Sequence, residues 1–143
     1  MDNDRETAEV NLRRNMNQMD AEHWLSRHWG IVNVWRPVGE TVRQYPLGLI
    51  DPRSADLVEN ATRIFTKNNY KSHFTALRYN PSYRVYYASN LTPDEALLFI
   101  DFDSRRESSL SGMPDGAFED HASPPNSPLR RSIEVRVLAL YHD

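Results

Sequence analysis

The segment Ser132-Ile-Glu-Val-Arg-Val-Leu-Ala-Leu-Tyr-His142 decides the fold class, because its side chains alternate in character with a period of two. Such alternation predicts a β-strand whose two sides face different surroundings. The segment Leu97–Phe102 alternates in the same way. In the last strand, one side carries Ile133, Val135, Val137, Ala139 and Tyr141, and the opposite side carries Glu134, Arg136, Leu138 and Leu140.

Other segments extend this pattern towards the amino terminus. Short runs rich in β-branched and aromatic residues, bounded by turn residues, predict further strands. These runs are Ile31–Arg36, Tyr45–Ile50, Arg63–Lys67, Ser72–Tyr79 and Arg84–Ser89. So many short strands favour a sandwich or a barrel. Residues 104–129 are rich in Ser, Pro, Gly and Asp, and they are predicted to form one long surface loop.

The first residues follow a helical pattern instead. Within residues 4–27, apolar positions recur in steps of three and four, without Pro or Gly. The region Asn17–Asp20 could divide this segment into two helices, with Asp20 as the cap of the second, and Gly30 is predicted to end it. The sequence thus predicts a single, mainly β (α+β) domain over residues 1–143. Residues 1–28 would be a helical lead-in, and residues 29–143 a barrel-like core.

Composition narrows the functional classes. The 143 residues carry a formal net charge of -3 without a basic stripe, which argues against a nucleic-acid partner. Cysteine is absent, so thiolate catalysis and disulfides are excluded. No apolar run approaches the roughly 20 residues of a membrane span, and the start lacks the pattern of a signal peptide. We therefore expect a cytoplasmic protein without a membrane partner.

Several ordered blocks point to a known family. They are Asn33-Val-Trp-Arg-Pro37, Tyr45-Pro-Leu-Gly-Leu-Ile-Asp51, Arg78-Tyr-Asn-Pro-Ser-Tyr-Arg-Val-Tyr-Tyr87, Thr92-Pro-Asp-Glu95, Phe102-Asp-Ser104, Ala117-Phe-Glu-Asp120 and Arg131-Ser-Ile-Glu-Val-Arg136. In this order the sequence resembles the CmcJ/AsaB-like hydroxylase/desaturase family, which includes gibberellin-desaturase-like proteins. Members act as non-haem iron, 2-oxoglutarate-dependent oxygenases in natural-product pathways. The resemblance implies a jelly roll, the double-stranded β-helix, here as a partial barrel.

The metal ligands that the resemblance implies do not match. An iron oxygenase of this kind binds its metal through two His and one carboxylate. The family's His-x-Asp segment, which lies upstream of the Asn33 block, has no counterpart here. The family's Asn-Pro-x-His-Arg and Pro-His-x-Ala-Phe align with blocks that place Tyr83 and Asp115 at the two possible distal histidine positions. We therefore expect a retained scaffold without a metal site.

Candidate site residues follow from charge, aromatic character and position in these blocks. Arginines bind carboxylates or enolates, phenols donate protons, and only imidazole titrates near neutrality without perturbation. In the oxygenase fold a late-strand arginine binds 2-oxoglutarate, and Arg131 or Arg136 would match. The catalytic candidates are Arg36, Tyr83, Glu134, Arg136 and His73, and the substrate-binding candidates are Trp35, Arg84, Tyr86, Tyr87, Asp115 and Phe118.

The leading hypothesis is a cofactor-independent natural-product enzyme on a degenerate oxygenase scaffold, a cyclase or isomerase, with a pericyclase as one form of it. Its partner would be a small natural-product substrate. One alternative is a true Fe(II)/2-oxoglutarate hydroxylase or desaturase, and another is a non-catalytic binding partner. A partial barrel exposes sheet edges, which proteins cover or pair. We therefore expect the amino-terminal helix, a second subunit in a homodimer, or both to cover them.

Overall fold

The computed structural model describes residues 5–55, 61–65, 73–106 and 112–142, with only the backbone described at 61–65 and 73–75. The lead-in forms two helices, α1 (Arg5–Asn15) and α2 (Gln18–Leu25). Asn17, not Asp20, is the cap of α2, because its side-chain oxygen accepts a hydrogen bond from the Asp20 N–H. Gly30 does not end a helix. It lies in the first strand, where a Cβ would come within 2.7 Å of the Phe102 carbonyl oxygen.

Eight strands follow these helices in the described residues. They are β1 (Trp29–Pro37), β2 (Leu47–Ile50), β3 (Ala61–Phe65), β4 (His73–Leu77), β5 (Val85–Tyr87), β6 (Leu97–Asp103), β7 (Asp115–Ala117) and β8 (Ser132–Leu140), with a 3-10 turn at Pro52–Ser54. They form two three-stranded sheets, in the orders β6-β1-β8 and β5-β2-β7, and the hairpin β3-β4. All of these pairings are antiparallel. Every predicted strand is present, with ends shifted by a few residues.

The predicted single loop over residues 104–129 is wrong in one respect. Strand β7 lies within it and pairs with β2, where Gly48 faces Gly116. A three-residue strand containing glycine has too little pattern to be read from sequence. Residues 107–111 lie outside the described residues.

Two hydrophobic clusters lie on the same side of the β6-β1-β8 sheet. At one end, Ala8 and Leu12 of α1 and Ala21 of α2 cover Trp29 and neighbouring apolar side chains. At the other end, Trp35 and Phe99 pack against Val42, Leu47 and Leu91. Full burial of one large apolar side chain contributes about 1.5–3 kcal/mol. These clusters therefore define the inward side of β1.

A β-bulge interrupts the pairing of β1 with β6. Ile31 pairs with Phe102 and Val32 pairs with Ile100, so Asp101 is an extra residue in β6. The bulge keeps Phe99 and Phe102 in the two clusters although they are three residues apart. Asp101 itself is buried, with 1% of its surface exposed.

The register of β8 against β1 turns the polar side of β8 inward. Arg136 pairs with Asn33 and Glu134 pairs with Trp35, so both share the side of the clusters. The opposite, apolar side is about half exposed at Ile133, Val135 and Val137. The period of two is confirmed, but the inward side of β8 is the one that carries its charged residues.

Candidate functional site

A cleft of about 790 Å³ opens between the second sheet and the inward side of β8. Its volume is in the range that holds a drug-sized ligand. Five predicted site residues line it together, namely Tyr87, Asp115, Phe118, Glu134 and Arg136. The remaining lining is mostly small or apolar and comes from β2, β4, β5, β7 and the residue before β7: Gly48, Ile50, Ala76, Leu77, Val85, Gly116, Ala117 and Pro114.

The apolar wall depends on a glycine in β2. A Cβ at Gly48 would lie 2.8 Å from Val85 Cγ1 and 3.2 Å from the Phe118 ring, so a larger residue would have to displace the wall. Tyr87 and Phe118 meet edge to face, with ring centroids 5.0 Å apart. Aromatic pairs in this arrangement are stabilised beyond their buried area. The wall is therefore an apolar surface in the same cleft as the charged residues.

Two carboxyl groups and one guanidinium line the cleft, Asp115 from β7 and Glu134 and Arg136 from β8. Burial raises the pKa of the Asp115 carboxyl, and the nearby positive charge of Arg136 opposes that rise only in part. Arg136 Nε lies 3.8 Å from Glu134 Oε1 and also 3.8 Å from Oδ2 of the buried Asp101. Arg136 is thus held between an exposed and a buried carboxylate at the edge of the cleft.

Other predicted site residues lie elsewhere. Arg36 donates a hydrogen bond of 2.6 Å from Nη2 to the Pro93 carbonyl, away from the cleft. Trp35 is buried, and the guanidinium of Arg130 lies 5.2 Å from its ring centroid. Alternation along β5 turns Tyr86 away from Val85 and Tyr87, and it is 58% exposed. These three residues do not contribute to the cleft.

Tyr83, Arg84 and His73 have separate surroundings. Tyr83 lines a second, smaller cleft. Arg84 Nη2 lies 3.5 Å from Oδ2 of Asp51, whose carboxylate also accepts hydrogen bonds of 2.9 and 2.8 Å from the Arg53 guanidinium. These hydrogen bonds from Arg53 lower the pKa of Asp51 to about 2. The side chain of His73 lies outside the described residues, so its role stays a prediction.

Comparison with known proteins identifies the family. A family model described as "Oxidoreductase/YMDC permease-like domain" matches residues 1–140. The chain belongs to this family. Neither helix in the described part of the chain has the length and apolar character that a membrane span requires.

Relatives in this family carry the names that the sequence blocks indicated. Oxidoreductase clz16 of Cochliobolus lunatus is 37% identical over 99% of this chain and 51% of its own length. Hydroxylase/desaturase asaB of Aspergillus flavus is 33% identical over 92% of this chain and 64% of its own length. The chain therefore spans about half to two-thirds of these curated relatives. The predicted resemblance to the CmcJ/AsaB-like family is confirmed.

Solved structures confirm the fold class. Two structures of the iron and alpha-ketoglutarate-dependent endoperoxidase NvfI match with TM-scores of 0.84 and 0.78, at 23% and 24% identity. They cover 97% and 93% of this chain, and 51% and 50% of the solved chain. The described residues thus have the jelly-roll fold class of these solved chains, with a helical lead-in.

The donors of the cleft do not fit the iron centre that NvfI's name implies. Such a centre needs two imidazoles and a carboxylate, and the described residues contain no cluster of three or more metal-ligating side chains. Among the described histidines, His28 lies 3.0 Å from Asp103 and stacks on Tyr141, while His23 and His142 flank the ring of Trp24. None of them lines the cleft. The residues that line the cleft therefore do not supply this set of donors.

Two residues of the site were not among the sequence candidates. Asp101 is one, because its Oδ2 lies 3.8 Å from Arg136 Nε. Asn33 is the other, because it pairs with Arg136 in the β1-β8 register and is only 1% exposed. Within the described part of the chain, Asn33 Oδ1 has no hydrogen-bond partner. A signal was present, since Asn33 interrupts the otherwise apolar inward positions Ile31 and Trp35. A buried polar residue in such a row usually has a specific role.

Proposed function

We propose that the cleft is the active site of a natural-product cyclase or isomerase that moves protons on a small, largely apolar substrate without a redox cofactor. The observation that supports this most directly is the meeting of Asp115, Glu134 and Arg136 in one mostly apolar cleft. Two carboxyl groups in different environments can divide the roles of acid and base. Relatives that are named as an oxidoreductase and as a hydroxylase/desaturase support an enzymatic role for the cleft.

The roles follow from the surroundings of each group. Asp115 is desolvated, which favours its neutral form as a proton donor to a substrate oxygen. Glu134 Oε1 lies 3.8 Å from Arg136 Nε at the edge of the cleft, and it is our candidate for the acceptor of a proton from carbon. After one enolisation Asp115 is ionised and Glu134 is protonated. Return of the proton from Glu134 to a second carbon, and of the enol proton to Asp115, restores both groups and leaves the substrate isomerised.

Arg136 would stabilise the negative charge that develops on the substrate. A fixed cation in a partly water-excluded site acts more strongly than one in bulk water. The wall of Val85, Tyr87 and Phe118 would hold an apolar ring system against these groups. Holding the substrate in a reactive conformation lowers the barrier further, and this also applies to ring closure.

The proposal is tested with a polycyclic β,γ-unsaturated ketone, androst-5-ene-3,17-dione, whose isomerisation to the conjugated ketone is followed by ultraviolet absorbance. We expect turnover in excess EDTA, and a loss of about 100-fold or more in Asp115→Asn and in Glu134→Gln. Glu119→Gln, which changes a carboxylate outside the cleft, should retain the wild-type rate. A rate no higher than that in buffer, or equal rates in all variants, would contradict the proposal.

An Fe(II)/2-oxoglutarate hydroxylase or desaturase is the second candidate. It is favoured by the fold and by Arg136, a late-strand arginine in the cleft that matches the 2-oxoglutarate-binding arginine implied by the family resemblance. Arg131 lines a separate groove beside Val38. Stoichiometric iron in the purified protein together with substrate-dependent succinate release would establish it. Inhibition by EDTA that Fe(II) reverses would reject the cofactor-independent proposal. The predicted homodimer stays a prediction.

A further inference from the structure

Strand β8 is an uncovered edge of the β6-β1-β8 sheet. In the described part of the chain, β1 pairs with one side of β8, and no strand pairs with its other side. The residues Ser132–Val137 are all exposed, and the pairing with β1 runs through Ser132–Leu140 without a bulge. A long, regular edge strand without proline or glycine presents backbone N–H and C=O groups that can pair with another strand.

The opposite edge of the same sheet is protected. Strand β6 contains the bulge at Asp101, and the Met113 N–H donates a hydrogen bond of 2.7 Å to the Ile100 carbonyl. A Cβ at Gly112 would overlap the Asp101 carbonyl, so the chain at 112–113 lies directly against β6. Bulges and covering segments are means by which proteins block edge pairing. Within the described residues, β8 is therefore the edge of this sheet that is open to a partner strand.

The side chains of β8 favour a second copy of the same chain as that partner. The central residues of the strand read Ile133-Glu-Val-Arg-Val137. In an antiparallel pair of two such strands with a two-fold axis at Val135, Glu134 stands opposite the partner's Arg136, and Ile133 stands opposite the partner's Val137. Residues directly opposite each other share a side of the sheet, and opposite charges stabilise such a pair. The strand is thus complementary to itself in charge and in apolar character.

The charges also select the register. An axis at Glu134 or at Arg136 would set two like charges directly opposite each other, which is destabilising. An axis between two residues would place the charged side of one strand on the apolar side of the other. With the axis at Val135, both conflicts are absent. The side chains of Arg136 and Glu134 are 42% and 32% exposed, so each is accessible to a partner.

We propose that the protein forms a homodimer in which the β8 strands of two copies pair antiparallel about Val135 and join the two β6-β1-β8 sheets into one. The apolar side of this joined sheet then carries a continuous aliphatic row, to which each copy contributes Ile133, Val135 and Val137. On the other side, the partner's Arg136 lies opposite Glu134, a residue that lines the cleft. The pairing does not depend on the proposed function, because it rests on the open edge and its side chains alone.

The absence of cysteine makes the position of the axis measurable by disulfide cross-linking. Opposed Cα atoms in an antiparallel pair lie about 4.5–5.5 Å apart, and a disulfide spans that distance. Under mild oxidation with copper phenanthroline, Val135→Cys should form a disulfide-linked dimer on a non-reducing gel, and a reductant should reverse it. In Ile133→Cys the two thiols would be separated by about four residues, or roughly 13 Å, along the strands. That variant should stay largely unlinked.

The control for accessibility is Leu98→Cys on β6. Leu98 is 68% exposed, whereas Val135 is 52% exposed, so random collision would link the Leu98 variant at least as readily. We expect cross-linking of Val135→Cys alone among the three variants. No cross-linking of Val135→Cys, or equal cross-linking of all three, would overturn the proposal.

Sedimentation velocity measures the dimer without a cross-link. We expect the wild type to dimerise at micromolar concentrations, and Glu134→Lys to raise the dissociation constant by about 10-fold or more, because two like-charge pairs replace two opposite-charge pairs. This difference should shrink at high salt, which screens exposed charges. Glu119→Lys makes the same change of charge outside β8 and should leave the dissociation constant unchanged. A monomeric wild type, or an equal effect of Glu134→Lys and Glu119→Lys, would refute the pairing.

Discussion

The ion pair between Asp101 and Arg136 should stabilise the protein more than a shorter pair on the surface. Arg136 Nε lies 3.8 Å from Asp101 Oδ2, and the two side chains are 42% and 1% exposed. At an effective dielectric constant of about 20, Coulomb's law gives about 4 kcal/mol at this separation. Because the guanidinium is partly solvated, we expect screening to reduce the coupling to about 1.5–2.5 kcal/mol.

A matched control exists between the two helices. Arg13 Nη1 lies only 2.6 Å from Glu22 Oε1, but the two side chains are 46% and 58% exposed. Exposed pairs contribute little, because water and salt screen them and ordering two long side chains costs entropy. We therefore expect a coupling of about 0.2–1 kcal/mol in spite of the shorter distance.

Two double-mutant cycles measure both couplings. The first contains Asp101→Asn, Arg136→Met and the double variant, and the second contains Arg13→Met, Glu22→Gln and their double variant. Urea unfolding followed by tryptophan fluorescence gives the free energy of unfolding of each variant. The coupling energy is the departure from additivity within each cycle. A coupling for Asp101 and Arg136 no larger than that of the surface pair would refute the reasoning that burial outweighs distance here.

Three further predictions concern local features. Gly112→Ala should lower the free energy of unfolding by about 2–4 kcal/mol in urea titration, because its Cβ would lie 1.8 Å from the Asp101 carbonyl oxygen. The control is Gly116→Ala, whose Cβ meets nothing within 4 Å. It should change the free energy of unfolding little. The pKa of Asp51 is lowered from 3.8 to about 2, so the stability advantage of the wild type over Asp51→Asn should be constant above pH 3.8 and shrink as the pH falls towards 2. An advantage that does not change between pH 5 and pH 2 would contradict this. The pKa of Asp115 is raised, so ionisation costs stability: Asp115→Asn should be more stable than the wild type at pH 7, and the difference should vanish below pH 3.8 in thermal unfolding.

The sequence predicted the elements better than their arrangement. The alternation in β8 and β6 and the blocks around Asn33 and Tyr83 were enough to predict the strands, the fold class and the family. Strand β7 was missed, because three residues that include a glycine carry no usable period. The α2 cap was assigned to Asp20 instead of Asn17, since both residue types favour that position and the choice depends on where the first helix ends.

Part of the candidate site was predictable and part was not. Tyr87, Asp115, Phe118, Glu134 and Arg136 were selected from residue type and family blocks, and the structure brings them into one cleft. Arg36 and Trp35 were selected by the same reasoning but lie elsewhere. Residue type and block position do not tell which side of a strand end faces a cavity.

What the chain's order of residues determined is the local pattern: which segments extend, which coil, and which two sets of side chains each strand separates. What only the tertiary structure decided is which set faces inward. Read alone, β8 favours burial of Ile133, Val135 and Val137, but its hydrogen-bonded register with β1 aligns Glu134 with Trp35 and Arg136 with Asn33. The large buried side chains of β1 set the inward side of the whole sheet, because all strands of a sheet share its two faces.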